Sequence, residues 1–271
     1  VAPQAMTRTF HKMHGLGNDF VIFDAREEPL TMDEALARAI ADRKTGVGCD
    51  QLIVLEKSNA ADVKMRSWNH DGGEVEICGN ALRCVVALTH AKSIETGGGL
   101  VTGTEQGNDI EVTLGEPRFD WDKVPITYAM PTNPMPMAWG DLQHPVALNV
   151  GNPHIVFFVE DANAIDLDEL GPRIEHDPVF PDRINVNIAE VHPDGIRLRT
   201  WERGAGITRA CGTGASATAV AAILTKRAQS PVKVSMRGGS LTIAWEPGQP
   251  IRMRGGAAYV FKGEIDLAAL S

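Results

Sequence analysis

One stretch of this 271-residue chain occurs twice. The first copy, 69–92, reads NHDGGEVEICGNALRCVVALTHAK, and the second, 202–227, reads ERGAGITRACGTGASATAVAAILTKR. Each runs from a polar residue through a glycine-rich turn to a Cys-Gly pair and a long apolar segment. Asn69 precedes Cys78 by nine residues and Glu202 precedes Cys211 by nine, so both landmarks recur at an offset of 133. Two more recur at 134: Gly17-Asn18 ahead of VIFD matches Gly151-Asn152 ahead of IVFFVED, and Gln51 in CDQLIV matches Asn185 in RINVNI. Four landmarks repeated in the same order at 133 or 134 residues mean domain duplication rather than a solenoid. The chain is constrained to fold as two similar halves, each carrying one cysteine at the same place.

The segments after the cysteines, 81–91 and 214–224, are apolar around most of a helical circumference, and such helices are buried. His90 and Lys92 close the first and Lys226 and Arg227 the second, which suits the negative end of a helix dipole. Cys78 and Cys211 then stand at helix N-termini. Unpaired backbone N–H groups and the dipole stabilise a thiolate there and lower its pKa. Gly79 and Gly212 let backbone N–H groups approach a ligand closely. A free cysteine is ordinarily a small buried hydrophobe, and Cys49 and Cys84 are read that way. The duplicated Cys-Gly at two helix starts sets Cys78 and Cys211 apart.

Apolar residues make up 43%, enough for a real core, and no run is long enough to span a membrane. The N-terminal stretch has no apolar segment of the secretory kind, and its first few residues are read as a disordered lead-in. A net charge of −9 argues against a broad nucleic-acid surface, though a local Arg can still bind a small acidic ligand. The four cysteines do not have the spacing of a disulfide framework, and a cytosolic location follows. No His pair follows Cys78 and Cys84 at ligand spacing, so no metal site is assigned.

Along the chain, 8–24 reads as strand, glycine loop and strand, 31–42 as a helix with Thr31 as its cap, and 51–56 and 61–68 as strands. A hairpin follows, turning at Gly107-Asn108. The segment 116–144 holds five prolines and little periodicity, and is read as the crossing between domains. Short strands fill the tail from Ile196 to Phe261. The expected class is α/β (α+β): two pseudo-equivalent domains, 1–120 and 121–260, with 261–271 packing back on the first. Each is a curled mixed sheet around a central buried helix, the alternative being an ordinary layered sandwich.

If both helix starts serve one cleft, a thiolate and a thiol flank one bound molecule. Around them stand Asn18, Gln51, Asn69, Asn152, His154, Asn185, Glu202 and Arg203. Many neutral hydrogen-bonding groups and one bidentate cation suit a zwitterion with a carboxylate for Arg203. Two opposed bases suit inversion at carbon, one taking the proton and the other returning it on the far face. Backbone N–H groups at both helix starts would stabilise the carbanion.

HGLGNDF, GNPH, NVN, ERGAG, ACGTGASA and the pattern N-x-D-G-x-E-x-x-x-C-G-N together resemble the diaminopimelate epimerase family, with GGAAYVFKGEI near the end also similar. The resemblance implies a cofactor-independent two-thiol epimerase that interconverts LL- and meso-diaminopimelate on the route to lysine and peptidoglycan. It implies two similar α/β domains, each a sheet wrapped around a central helix. It makes Cys78 and Cys211 the acid/base pair, and Asn18, Gln51, Asn69, Asn152 and Asn185 substrate-holding residues. Gly79 with Asn80, and Gly212 with Thr213, become carboxylate-binding helix starts. Glu202 and Arg203 hold the distal amino-acid centre, and His154 and Glu202 tune the thiols. The partner implied is a small-molecule substrate, with no nucleic acid, membrane, cofactor or metal; a homodimer is one admissible assembly. Ala81 departs from the Gly usual after C-G-N, and Pro131–Pro136 is no family landmark.

Three rival readings stand beside this one. A proline-racemase-like enzyme predicts a compact site with no second charged end, against which Arg203 and the ring of amides speak. A non-catalytic amino-acid binding protein needs neither thiol. A redox switch would need Cys78 and Cys211 within disulfide geometry. Asn18, Asn152 and Asn185 are also of a type common in turns, and Arg203 alone would read as a surface charge.

Overall fold

The repeat read in the sequence is a repeat of strand succession. The computed structural model describes residues 7–270, so the N-terminal lead-in falls outside the described residues. Contacts divide the chain into two units, 1–111 with 256–271, and 112–255; the sequence reading set its boundaries at 120/121 and 260/261.

The first unit contains β1 (Thr7–Gly15), β2 (Asn18–Asp24), α1 (Glu34–Ala41), β3 (Gln51–Glu56), β4 (Val63–Asn69), β5 (Glu74–Val75), α2 (Gly79–Thr89), β6 (Ser93–Thr96) and β7 (Gly99–Gln106). The division falls within β8 (Asp109–Thr113). β1 pairs antiparallel with β2, β2 parallel with β3, β3 antiparallel with β4, β4 parallel with β6, and β6 antiparallel with β7. Alternation along β4 puts Val63, Met65 and Ser67 inside. Phe10, Val21, Phe23, Leu52, Val54 and Trp68 pack with Ala37 and Ile40 of α1 in one core cluster.

The second unit follows the same plan. It contains β9 (Ala138–Trp139), β10 (Leu142–Gln143), β11 (Val146–Asn149), β12 (Pro153–Phe158), α3 (Leu167–Glu175), β13 (Asn185–His192), β14 (Gly195–Glu202), β15 (Gly206–Ile207), α4 (Gly212–Leu224), β16 (Val232–Met236), β17 (Gly239–Ala244) and β18 (Arg252–Gly255). β11 pairs antiparallel with β12, β12 parallel with β13, β13 antiparallel with β14, β14 parallel with β16, and β16 antiparallel with β17. Register repeats as well. Phe20 lies opposite Gln51, and His154 opposite Asn185, each position 134 residues on. α4 packs against β11, β12, β13, β14, β16 and β17, a sheet curled around one helix. Its residues from Gly212 to Ala222 are all buried. The last strand, β19 (Ala258–Asp266), pairs antiparallel with β1 in the first unit.

The structure departs from the sequence reading in four places. α1 is capped by Asp33 rather than Thr31, because the Asp33 carboxylate accepts the Leu36 N–H at 2.8 Å. α2 and α4 begin at Gly79 and Gly212, two residues before the apolar runs, and carry no basic residue in their last turns. α3 is an unexpected element. Its cap Asp166 accepts from Glu169 N, repeating Asp33 and Leu36 at the same 133-residue offset. The proline-rich 116–144 is part of the second unit, whose core takes up Val124, Ile126, Met135, Trp139 and Leu142.

Two tight turns set the site residues at strand starts. Gly17 (φ 82°) precedes Asn18 and Gly151 (φ 111°) precedes Asn152. Both conformations are disfavoured for residues with a Cβ.

Candidate active site

Each unit carries one cysteine as the N-cap of its central helix. Cys78 (φ −129°, ψ 106°) caps α2 and Cys211 (φ −129°, ψ 111°) caps α4, so the two backbones are nearly superimposable in dihedral space. Both are buried, and all four cysteines are free thiols. Cys49 and Cys84 are buried, and burial outweighs the charges near them and pushes each thiol up to about 12. They are inert core residues, as their sequence setting implies.

In the first unit, Asn18 opens β2, Gln51 opens β3, Asn69 ends β4, and Gly79 and Asn80 form the first turn of α2. Cys78 Sγ lies 2.8 Å from Gln51 Oε1 and 4.0 Å from Asn18 Oδ1. Gln51 Nε2 donates to Asn69 Oδ1 at 2.9 Å, and Asn80 Nδ2 donates to Asn18 Oδ1 at 3.1 Å. All five side chains therefore belong to one connected set. Beneath them lies Arg83, 0% exposed, whose Nη2 donates to Asn80 Oδ1 at 2.8 Å and Nε to the Gly256 carbonyl at 3.1 Å. Burial lowers the Arg83 pKa to about 10, which leaves a cation at neutral pH beside Cys78. Asn18 is tied on its far side to Asp50, which Arg43 bridges at 2.7 Å; Arg43 and Lys12 also bridge Asp19.

In the second unit, Asn152 stands in the turn before β12, His154 is the second residue of that strand, and Asn185 opens β13. Glu202 ends β14, Arg203 follows it, and Gly212 and Thr213 form the first turn of α4. Cys211 Sγ accepts the Gly214 N–H at 3.3 Å and lies 3.6 Å from Thr213 Oγ1. Asn152 Nδ2 donates to Thr213 Oγ1 at 3.3 Å, and His154 Nε2 lies 2.8 Å from Asn152 Oδ1. His154 is thus connected to the sulfur through Asn152 and Thr213. It is fully buried, and burial followed by the nearby Arg203 charge pushes its pKa down to about 3, so it is a neutral imidazole. Asn185 Oδ1 accepts the Arg203 backbone N–H at 2.9 Å, Arg203 Nη1 donates to the Asp182 carbonyl at 3.0 Å, and Glu202 accepts from the Thr208 hydroxyl.

Sequence reasoning missed several residues that hold these groups. Glu175, at the end of α3, is 2% exposed; its Oε1 accepts the Gly204 N–H at 3.0 Å and its Oε2 the Trp201 Nε1–H at 2.7 Å. It braces the Glu202-Arg203-Gly204 turn from below. Asn187, Thr200, Arg83 and Asp50 are the others. NVN was visible as a motif and both of its asparagines are buried, but one sequence does not tell what each of them holds. Among the described residues no group of three or more His, Cys, Asp or Glu could hold a metal ion, and no helix is long and apolar enough to cross a membrane.

The architecture is that of a duplicated α/β protein with a cysteine at the start of each central helix. A hydroxyproline epimerase from Agrobacterium vitis, solved with bound trans-4-hydroxy-L-proline, has this fold at a TM-score of 0.68 and 12% identity, over 96% of this chain and 91% of that one. The family model described as diaminopimelate epimerase matches residues 10–120 and 146–260, and the chain belongs to that family. Among its relatives, the diaminopimelate epimerase of Rhizorhabdus wittichii is 60% identical over 96% of both chains. That of Sphingopyxis alaskensis is 58% identical over 97% of this chain and 99% of its own.

Proposed function

We propose that the chain inverts one α-carbon of diaminopimelate, interconverting the LL and meso forms by two-thiol acid/base chemistry, as an isomerase of lysine biosynthesis. Family membership and the relatives at 60% and 58% identity support the substrate. The observation that carries the mechanism is the pair of cysteine N-caps with matching backbone geometry. A thiolate at one helix start removes the α-proton, and the thiol at the other delivers its own proton to the opposite face. The net proton count is unchanged, and the two sulfurs exchange protonation states with each turnover. The helix N-terminal amides at Gly79–Asn80 and Gly212–Thr213 stabilise the reacting carboxylate as negative charge spreads onto it.

In this reading Asn18, Gln51, Asn69, Asn152 and Asn185 hydrogen-bond the substrate, and Glu202 and Arg203 hold its distal amino-acid centre. His154 and Glu202 tune the acidity of the thiols. No metal or pyridoxal phosphate is required, the location is cytoplasmic, and a homodimer is the proposed assembly. The test is incubation with diaminopimelate in deuterated water without added cofactor. Deuterium should enter the α-carbon as LL and meso forms interconvert, unaffected by a chelator. A requirement for pyridoxal phosphate, or no exchange at all, would sink the reading.

A further inference from the structure

The two units hold their equivalent asparagines in opposite orientations. In the first, a chain of donors starts at Arg83, whose Nη2 donates to Asn80 Oδ1. Asn80 Nδ2 donates to Asn18 Oδ1 at 3.1 Å, and Asn18 Nδ2 donates to Asp50 Oδ2 at 3.1 Å. The carboxylate accepts only, so it takes the amide NH2 and leaves the Asn18 oxygen facing α2. Gln51 does the same, spending its NH2 on Asn69 and turning Oε1 to Cys78 Sγ at 2.8 Å. Two amide oxygens thus face Cys78 Sγ, and a thiol donates to such acceptors.

In the second unit the chain starts at Thr200, whose hydroxyl donates to Asn187 Oδ1 at 3.0 Å. Asn187 Nδ2 donates to His154 Nδ1 at 3.1 Å and so fixes the proton of the neutral imidazole on Nε2. Nε2–H donates to Asn152 Oδ1 at 2.8 Å, which turns the Asn152 NH2 to Thr213 Oγ1 at 3.3 Å. The Thr213 hydroxyl proton is then available to Cys211 Sγ, 3.6 Å away, which also receives the Gly214 N–H. This chain ends on the sulfur, among donors that favour a thiolate.

We infer that Asp50 and Asn187 are positioning residues that orient Asn18 and Asn152 in opposite senses, making Cys78 the resting proton donor and Cys211 the resting proton acceptor. The inference rests on the reading of these two thiols as the acid/base pair. Other charges act on the same groups. Arg83 on α2 pulls Cys78 toward thiolate; Asp19, Lys12 and Arg43 surround Asp50; Arg203 faces His154. The experiment therefore compares variants that share these charges.

The experiment is an ultraviolet thiolate titration in backgrounds that keep one of the two thiols, Cys211→Ala to read Cys78 and Cys78→Ala to read Cys211. Cys49 and Cys84, pushed up to about 12, stay silent below about pH 10. Asp50→Ala frees Asn18 to turn its NH2 to the sulfur, and the Cys78 titration should fall by about half a pH unit or more. Asp50→Asn removes the charge but keeps an oxygen acceptor, and should restore the Cys78 titration of the parent. Asn187→Ala should raise the Cys211 titration, and Thr200→Val, nearly isosteric, should raise it too if Asn187→Ala fails to fold. Unmoved titrations, or Asp50→Asn behaving as Asp50→Ala does, would overturn the proposal. Opposite shifts in a protein that exchanges no deuterium would leave the roles of Asp50 and Asn187 in orienting Asn18 and Asn152 standing and remove the enzymatic reading together with the donor and acceptor assignment.

Discussion

The two units share strand succession, register and cap geometry, yet the surroundings of their cysteines differ in chemical kind. Around α2 the supporting groups are ionic: Arg83, Asp50, Asp19, Lys12 and Arg43. The groups that lead to Cys211 are neutral, His154, Asn187, Thr200 and Thr213, and the charged Glu202, Arg203 and Glu175 lie at the turn after β14. The helices differ as well, for α4 is buried from Gly212 to Ala222 while α2 is buried only from Gly79 to Val86. Duplication has kept what a helix start does for a thiol and let the wiring behind it diverge. An inversion catalyst has to present unlike protonation states from like frames, and divergence of the support provides that.

The largest expected effect comes from removing either sulfur. Cys78→Ala and Cys211→Ala should each lower epimerisation by about 10³-fold or more, with no further loss in the double variant, as for groups that act as one unit. Serine at either position keeps the size but is a poor proton acceptor at neutral pH. Each Ser variant should retain one-sided exchange with the isomer that faces its remaining thiol, and the two should prefer opposite isomers. Steady-state kinetics from both isomers check this. Near-parental LL-to-meso conversion in either Ala variant would reduce the comparison of the two units to one base and a bystander.

Arg203→Lys asks whether the second unit carries the distal-centre clamp. Lysine cannot reproduce a bidentate guanidinium–carboxylate contact. kcat/KM should drop by about tenfold or more, while the Arg203 backbone N–H keeps its bond to Asn185 Oδ1. Unchanged kinetics would place Arg203 outside the site.

What could be read in the sequence, and what could not, divides along a physical line. Local signals carried far. Cys-Gly ahead of an apolar run marks a buried helix start, and the 133–134 offset aligns Asn18 with Asn152 and Gln51 with Asn185, the latter pair standing at the same place in the two strand registers. α3 escaped because Pro172 sits inside it, although the Asp33 and Asp166 caps repeat at the same offset. Thr31 precedes the apolar pattern as a cap would, but Asp33 is the residue whose carboxylate reaches the third amide. The proline-rich 116–144 lacks periodicity because its apolar residues are buried singly, without a regular face. Asp50, Asn187, Thr200 and Glu175 act across strands, and their partners become neighbours only once register is set.

Acid should distinguish the units by the order in which they lose stability. His154 has a folded pKa of about 3 against an unfolded value of 6.5, so the unfolded chain binds the extra proton between them. Its contribution is fully present above pH 6.5 and is lost as pH falls toward 3, at about 1.4 kcal/mol per pH unit. Asp19 behaves later. Burial pushes its pKa up, but Arg43 and Lys12 outweigh that and hold it well below 3.8, so its contribution is lost only as pH falls below that value. Denaturant unfolding from pH 7 to 4 should show a slope that His154→Gln flattens and Asp19→Asn does not. An unaltered slope in His154→Gln would show that the buried imidazole is not what makes the second unit acid-sensitive.

The smallest effect comes from the helix position at which the units differ by one methyl group. Ala81 in α2 and Gly214 in α4 are equivalent at the 133-residue offset. Ala81 is fully buried without displacing its neighbours, and as a helix former it gains over Gly by about 1 kcal/mol. Ala81→Gly should therefore cost about 1 kcal/mol of stability, read by urea unfolding, with kcat/KM unchanged. The reverse change has no such room. A Cβ on Gly214 would lie 2.7 Å from Asn187 Oδ1, 3.0 Å from Thr200 Oγ1 and 3.1 Å from Cys211 Sγ. The helix-propensity gain of Gly214→Ala is set against overpacking of about 1–3 kcal/mol, so the net change should be a small destabilisation. The same methyl group pushes on Asn187 and Thr200, which orient His154, so kcat should fall more than stability does. Equal and harmless outcomes for both substitutions would mean that the neutral wiring under α4 tolerates displacement and that its fit to Cys211 has no bearing on turnover.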